Sequence, residues 1–168
     1  DGSNINTKTA EEILEEEKED MIQGVEELSS TSVKEVMIPR IDVDFINVDT
    51  DFDEVTKKIS ESGHSRFPVY KESIDNVIGV LYVKDLIKCY FNKEQPNLEK
   101  LIRRAYFVPE TKRIDSLLRE FKRRHIHIAM AVDEYGGLSG IVCMEDIIEE
   151  IVGDIQDEFD NERDDIIS

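Results

Sequence analysis

Gly79-Val80-Leu81-Tyr82-Val83-Lys84-Asp85-Leu86-Ile87 returns 61 residues later as Gly140-Ile141-Val142-Cys143-Met144-Glu145-Asp146-Ile147-Ile148. In each, a glycine opens a β-rich apolar run that passes into a short helix carrying an aspartate near its start. Upstream, the match continues at an offset of 62: Ile46, Phe52-Asp53, Val55 and Ile59 meet Val108, Ile114-Asp115, Leu117 and Phe121. Between these blocks, Ser65-Arg66-Phe67-Pro68-Val69 meets His127-Ile128-Ala129-Met130-Ala131. One residue lost in a loop accounts for the change of offset. Identities are few, but order, polarity and spacing agree along the whole length, so the chain is an internal repeat.

Each repeat reads as strand, helix, strand, strand, helix. In the first, Asp44 to Val48 is a short apolar strand and Asp49-Thr50-Asp51 suits a turn and helix cap. Phe52, Val55, Ile59 and Ser62 then fall on one helical stripe, which Gly63 closes. Phe67 to Tyr70 and Val77 to Leu81 are strands joined through the polar Lys71 to Asn76, and a helix runs from about Tyr82 to Cys89. The second repeat copies this with a strand at Ala105 to Val108 and a helix at Arg113 to Arg124. A hairpin of Ile126 to Val132 and Leu138 to Val142 follows, turning at Asp133-Glu134-Tyr135-Gly136-Gly137, and a helix closes the repeat from Met144 to Val152. Ahead of the repeats, Ile13, Leu14, Glu17, Met21, Val25 and Leu28 are spaced to cover one face of an acidic helix over residues 9–28.

The expected organisation is an N-terminal acidic helix and linker over 1–32, a first motif over 33–97, a second over 98–153 and an acidic, frayed tail over 154–168. Neither half can bury both faces of its small sheet alone. The expected fold is therefore α/β, of the α+β kind: two pseudo-symmetric β-α-β-β-α motifs packed sheet to sheet, with clefts between them, preceded by an N-terminal helix.

The formal charge is −18, from 39 acidic and 21 basic side chains. Such a chain is repelled overall by nucleic acid and by anionic membranes, and no nucleic-acid partner is expected. Cys89 and Cys143 lie too far apart for a Cys-x-x-Cys site, and both sit in apolar stretches as reduced thiols, which fits the cytoplasm. No apolar run is long enough to span a bilayer. The polar start, Asp1-Gly2-Ser3-Asn4, is no signal peptide and reads as the edge of a piece of a longer protein.

Several strings carry a more specific resemblance. They are Val36-Met37-Ile38-Pro39-Arg40, Glu61-Ser62-Gly63-His64-Ser65-Arg66-Phe67-Pro68-Val69, Val108-Pro109-Glu110, Val132-Asp133-Glu134-Tyr135-Gly136-Gly137 and Glu145-Asp146-Ile147-Ile148-Glu149-Glu150-Ile151-Val152-Gly153. Over roughly residues 33 to 152 the chain resembles the tandem cystathionine-β-synthase (CBS) domain pair, or Bateman module. More narrowly, it resembles the CBS region of the CorC/HlyC family, named for magnesium and cobalt efflux and for haemolysin C. The resemblance implies a homodimer and a link to cation transport through a membrane transporter domain or partner. It also implies a cytoplasmic position, as the cytoplasmic part of a membrane-associated protein, and an adenine nucleotide, AMP or ATP, with Mg²⁺ as the companion of ATP.

In such pairs the carboxylate at Asp85 and Asp146 holds the two ribose hydroxyls, because an ionised carboxylate accepts two hydrogen bonds from a vicinal diol. The adjacent helix start offers N–H groups to phosphate. The same acid at the third helical position also serves simply as a cap, and that reading stays open. The family pattern places Thr three residues before the Asp; here Tyr82 and Cys143 stand there, which favours the Asp146 cleft and lets Tyr82 fill the first. Arg66, Pro68 and Arg40 at strand edges, and His127 beside the adenine cleft, complete the implied binding residues. Most of the basic run of residues 100–124 reads as a solvated helix face or a dimer interface facing the acidic N-terminal helix, with one or two of its arginines left to contact phosphate.

His125 and His127 stand two apart on an expected strand edge and His64 belongs to the other repeat. With no third ligand at zinc spacing, no metal site is expected. There is no Walker loop, nucleophile elbow or dinucleotide fingerprint, so no enzyme is expected. Two functions remain: a regulatory nucleotide-binding module, or a ligand-free dimerisation and docking scaffold whose clefts are filled by side chains.

Overall fold

Hydrophobic spacing that changes from helical to alternating and back produces the same element order twice. The computed structural model describes residues 9–28 and 30–152, with backbone alone over 20–28. The elements are α1 (Ala10–Leu28), α2 (Val33–Val36), β1 (Ile38–Pro39), a 3₁₀ turn (Arg40–Asp42) and β2 (Ile46–Asn47). Next come α3 (Phe52–Ser62), β3 (Arg66–Lys71), β4 (Ser73–Tyr82), α4 (Val83–Phe91) and α5 (Leu98–Leu101). The second repeat supplies β5 (Phe107–Pro109), α6 (Ile114–Arg124), β6 (Ile128–Val132), β7 (Leu138–Cys143) and a closing helix α7 over 144–152. The expected tail, 154–168, lies outside the described residues.

Two compact units emerge. Among the described residues, one holds those up to Val36, Thr111–His127 and those from Cys143 to Val152; the other holds Met37–Glu110 and Ile128–Val142. The first is helical. Its α1 starts on a reciprocal capping box, with Thr9 N–H donating to Glu12 and Glu12 N–H to the Thr9 hydroxyl, both at 3.2 Å. Ile13 and Leu14 on α1 are exposed; the side chains of Met21, Val25 and Leu28 are outside the described ones. Val33, Ile114, Leu117, Phe121 and Ile147 are fully buried in this unit. Thr31 and Val33 tie to the residues ahead of α6, through Ile114 N–H to Thr31 O at 3.0 Å and Val33 N–H to Lys112 O at 2.8 Å.

The second unit holds both sheets. In the three-stranded sheet, order β2-β3-β4, β2 runs parallel to β3 with α3 as the crossover, and β3 pairs antiparallel with β4. Its core is Ile46, Val48, Val55, Phe67, Val69, Leu81 and Leu98, with Ile59, Leu101 and Ile102 against it. Burial of each large apolar side chain here stabilises by about 1.5–3 kcal/mol. In the four-stranded sheet, order β1-β7-β6-β5, the parallel pair β5-β6 repeats the β2-β3 arrangement.

β1 is not a feature of the repeat pattern. It precedes the first repeat in sequence yet pairs antiparallel with β7 of the second, Ile38 opposite Ile141 and Pro39 opposite Gly140. The mirror event is the antiparallel bridge of Arg103, ahead of the second repeat, to Val80 of β4 in the first. The repeats thus exchange their lead-in segments. This exchange explains the paired glycines. A Cβ on Gly79 would lie 2.8 Å from the Arg103 carbonyl oxygen, and one on Gly140 would collide with the Ile38 carbonyl oxygen. Only a residue without Cβ admits such close backbone approach.

Three details differ from expectation. The polar stretch expected as a loop at Lys71 to Asn76 is largely strand, because β3 and β4 extend to Lys71 and Ser73 around Glu72 at φ 68°. Register shifts flanking Tyr70 accommodate the irregular pairing. His125 and His127 do not share a strand: His125 is the left-handed closing residue of α6, φ 55°, and β6 begins only at Ile128. Arg113, expected inside the helix, is its N-cap. The turn at Asp133 forms as read, with the Asp133 carboxylate accepting from Tyr135 N–H at 2.9 Å and Gly137 N–H at 2.8 Å.

Candidate functional site

A strand delivering its last residue directly into a helix sets a side chain at a helix N-terminus, and this happens twice. At the first junction, Val83 N–H donates to Ser65 O at 3.0 Å; at the second, Met144 N–H donates to His127 O at 2.8 Å. Ser65 and His127 are equivalent in the repeat, as are Tyr82 and Cys143, and Asp85 and Asp146. Backbone geometry is therefore duplicated. The side-chain chemistry is not.

At the first junction Asp85 is engaged. Arg103 Nε donates to one carboxylate oxygen at 2.8 Å and Nη2 to the other at 2.9 Å. The bridge to Val80 fixes the Arg103 backbone, with its N–H on Val80 O at 2.9 Å. The guanidinium carbon lies 4.2 Å from the Tyr82 ring centroid, within stacking and cation–π range. Arg66 at 5.4 Å and Lys84 at 5.7 Å flank the same ring, which is 7% exposed. The hydrogen bonds from Arg103 hold the Asp85 carboxyl below its ordinary value, against a smaller upward push from burial; the charges of Arg103, Lys84 and Lys88 add to the lowering. Pro68 lies buried on β3 opposite Val80.

At the second junction Asp146 has a different setting. Its Oδ2 accepts the Cys143 N–H at 3.2 Å, a capping contact back to the start of α7. Burial raises the carboxyl above its ordinary value; the Cys143 N–H opposes this, and the charges of Glu145 and Glu149 push it further up. Those two acids occupy the places of Lys84 and Lys88 in the first repeat. The strand position equivalent to Arg103 is Ile38, which has no charge to offer. Cys143 is half-buried and in no disulfide, and His127, also half-buried, meets the start of α7 through its carbonyl oxygen.

Of the residues singled out by sequence, Arg66, Tyr82 and Asp85 come together around Arg103, and His127, Cys143 and Asp146 around the start of α7. Arg40 is held elsewhere. Its Nη1 donates to Asp75 at 3.1 Å and to Leu138 O at 3.3 Å, and the same Asp75 oxygen accepts Leu138 N–H at 3.0 Å. That clamp joins the β3-β4 hairpin to β7. Arg103 is the member that sequence reading missed, since only the sheet pairing brings it to Asp85, 18 residues away in the chain. An open groove of about 600 Å³ lined by Thr50, Phe52, Asn97 and Lys100 includes none of these residues. Among the described residues, no group of three or more His, Cys, Asp or Glu is placed to hold a metal ion, and no helix is long and apolar enough to cross a membrane.

Known proteins resemble this chain in sequence and fold. Residues 33–92 and 98–153 each match the family model of the CBS domain. Hemolysin C of Brachyspira hyodysenteriae is 46% identical over 155 residues, covering 92% of this chain and 57% of that protein. The magnesium and cobalt efflux protein CorC of Pasteurella multocida is 44% identical over 153 residues, covering 90% of this chain and 51% of that protein. The chain thus spans about half the length of these curated relatives. Among solved structures, the CBS domain of a bacterial CNNM/CorC family Mg²⁺ transporter in complex with ATP superposes with a TM-score of 0.74 at 40% identity. That alignment covers 81% of this chain and 97% of the other.

Proposed function

The chain belongs to the CBS-domain family, as a tandem pair of the CorC and hemolysin C kind, and on that premise we propose that it is a regulatory module that binds ATP at the second-repeat junction. It is not an enzyme. The observation that carries the reading is the contrast between the two equivalent carboxylates. Asp85 has both oxygens on a guanidinium, whereas Asp146 meets a backbone N–H and two like charges. A ribose diol supplies the two donors that Asp146 is placed to accept, and its hydrogen bonds favour the ionised form that burial disfavours. Cys143 donates its N–H to that carboxylate, and the His127 carbonyl accepts the first N–H of α7. The triphosphate of a nucleotide adds further negative charge near Glu145 and Glu149, so Mg²⁺ accompanies it.

The ATP-bound relative supports the nucleotide, and the CorC relatives support a role in magnesium and cobalt efflux, with the module on the cytoplasmic side of a membrane transporter. Titration calorimetry with AMP, ADP and ATP, with and without Mg²⁺, tests the reading. Binding is expected with ATP and is expected to weaken about tenfold or more in Asp146→Ala, the equivalent of losing one good charge-assisted hydrogen bond. Absence of binding by any adenine nucleotide sinks the reading.

A second reading, a nucleotide-free dimerisation scaffold, draws on α4. Ile87, Tyr90 and Phe91 are exposed there at 50%, 78% and 77%. A homodimer that covers this face serves either function, so a dimer in sedimentation without nucleotide binding selects the scaffold.

A further inference from the structure

We propose that Arg103 is a built-in occupant of the first-repeat carboxylate, so that the pair takes one nucleotide, at Asp146, and keeps a latent second site at Asp85. The inference rests on the nucleotide reading above and names the residue that decides how many sites are open. The Arg103 fork gives Asp85 two parallel N–H donors, one to each oxygen, which is the demand that a vicinal diol would otherwise meet. Its guanidinium also lies against the Tyr82 ring, and together they take up the junction where the second repeat has only the small Cys143. Charge does not close this site. Lys84 and Lys88 stand beside Asp85, so the start of α4 is more inviting to an anion than the start of α7 with Glu145 and Glu149. What closes it is the side chain at the lead-in bridge: arginine opposite Val80, isoleucine opposite Ile141. The backbone of the two junctions is otherwise the same, down to the hydrogen bond that starts each helix.

The test copies the second repeat onto the first. Calorimetry of the full chain with Mg²⁺ and ATP is expected to give one nucleotide per chain, lost on Asp146→Ala. In Arg103→Ile/Tyr82→Cys the stoichiometry is expected to rise to two, and the added site to vanish when Asp85→Ala is introduced in that background. Wild-type binding of two nucleotides, one nucleotide that survives Asp146→Ala, or a folded double variant that gains no site each overturns the proposal. If the wild-type chain binds nothing, the nucleotide reading at Asp146 fails. The double variant then still decides this inference, by gaining an Asp85-dependent site or not. Should the double variant not fold, carboxyl-¹³C spectra of the unaltered chain serve instead. Added ATP is expected to shift the Asp146 resonance and leave that of Asp85 in place, and a shifted Asp85 with an unmoved Asp146 overturns the proposal.

Discussion

Asp85 and Asp146 occupy equivalent positions in their repeats, yet their neighbours push the two carboxyls in opposite directions. Asp85 faces Arg103, Lys84 and Lys88 and is held below the ordinary aspartate value of 3.8; Asp146 is desolvated beside Glu145 and Glu149 and is raised above it. For Asp85 the consequence for stability has a definite sign. A carboxyl lowered by folding contributes stability that is complete above its unfolded value and is lost as pH falls through the folded one. Arg103 is 45% exposed at its side chain, so solvent screens the pair and its contribution is set at about 1 kcal/mol despite the bidentate geometry. Arg103→Met, which keeps the stem against Tyr82, is expected to lower the unfolding free energy by about that amount at neutral pH. In acid below the folded Asp85 value the difference is expected to disappear, as denaturant titrations at the two pH values would show. The aspartates themselves were legible as a repeated position; the partner of Asp85 was not. Arg103 reads in sequence as one member of a basic run, and no spacing rule links residues brought together by an antiparallel bridge.

At the scale of elements, α3 and α6 are the same helix twice, each with an apolar stripe and each ending in a left-handed residue. The first ends at Gly63, φ 70°, and the second at His125, φ 55°. A side chain bearing a Cβ costs roughly 1 kcal/mol in that region, although histidine visits it more readily than most. His125 is exposed, so its replacement loses little packing. His125→Gly is therefore expected to stabilise the chain by up to about 1 kcal/mol, offset in part by the greater freedom of glycine when unfolded, and a thermal melt reads the shift. Helix α3 was legible to the residue because its stripe, cap and closing glycine agree. Short elements such as β1, α2 and α5 were not, since two to four residues carry no periodicity. The boundaries of the β3-β4 hairpin moved for a related reason: polar residues can continue a strand as long as the partner strand satisfies their backbone groups.

At the scale of the whole molecule, the exchange of lead-in segments means that neither repeat completes its own sheet: β1 belongs to the sheet of the second repeat, and the Arg103 segment edges that of the first. Gly140 stands where β1 passes closest, and a methyl group there meets backbone, which cannot swing aside as a side chain can. Gly140→Ala is expected to destabilise by about 1–3 kcal/mol, with loss of amide-exchange protection across the β1-β7 pairing, while Gly79→Ala has the milder effect of a longer approach. The sequence alone determined the duplicated element order, the positions of the paired aspartates and glycines, and the family. The element order and the paired positions are properties of local period and of self-similarity, which a single chain displays in one dimension; the family rests on resemblance to known strings. Tertiary structure decided which carboxylate is occupied from within, where Arg40 goes, and which repeat each lead-in serves. Those outcomes depend on hydrogen bonds between segments 18 to 103 residues apart in the chain, and identical spacing in the two repeats is compatible with either partner.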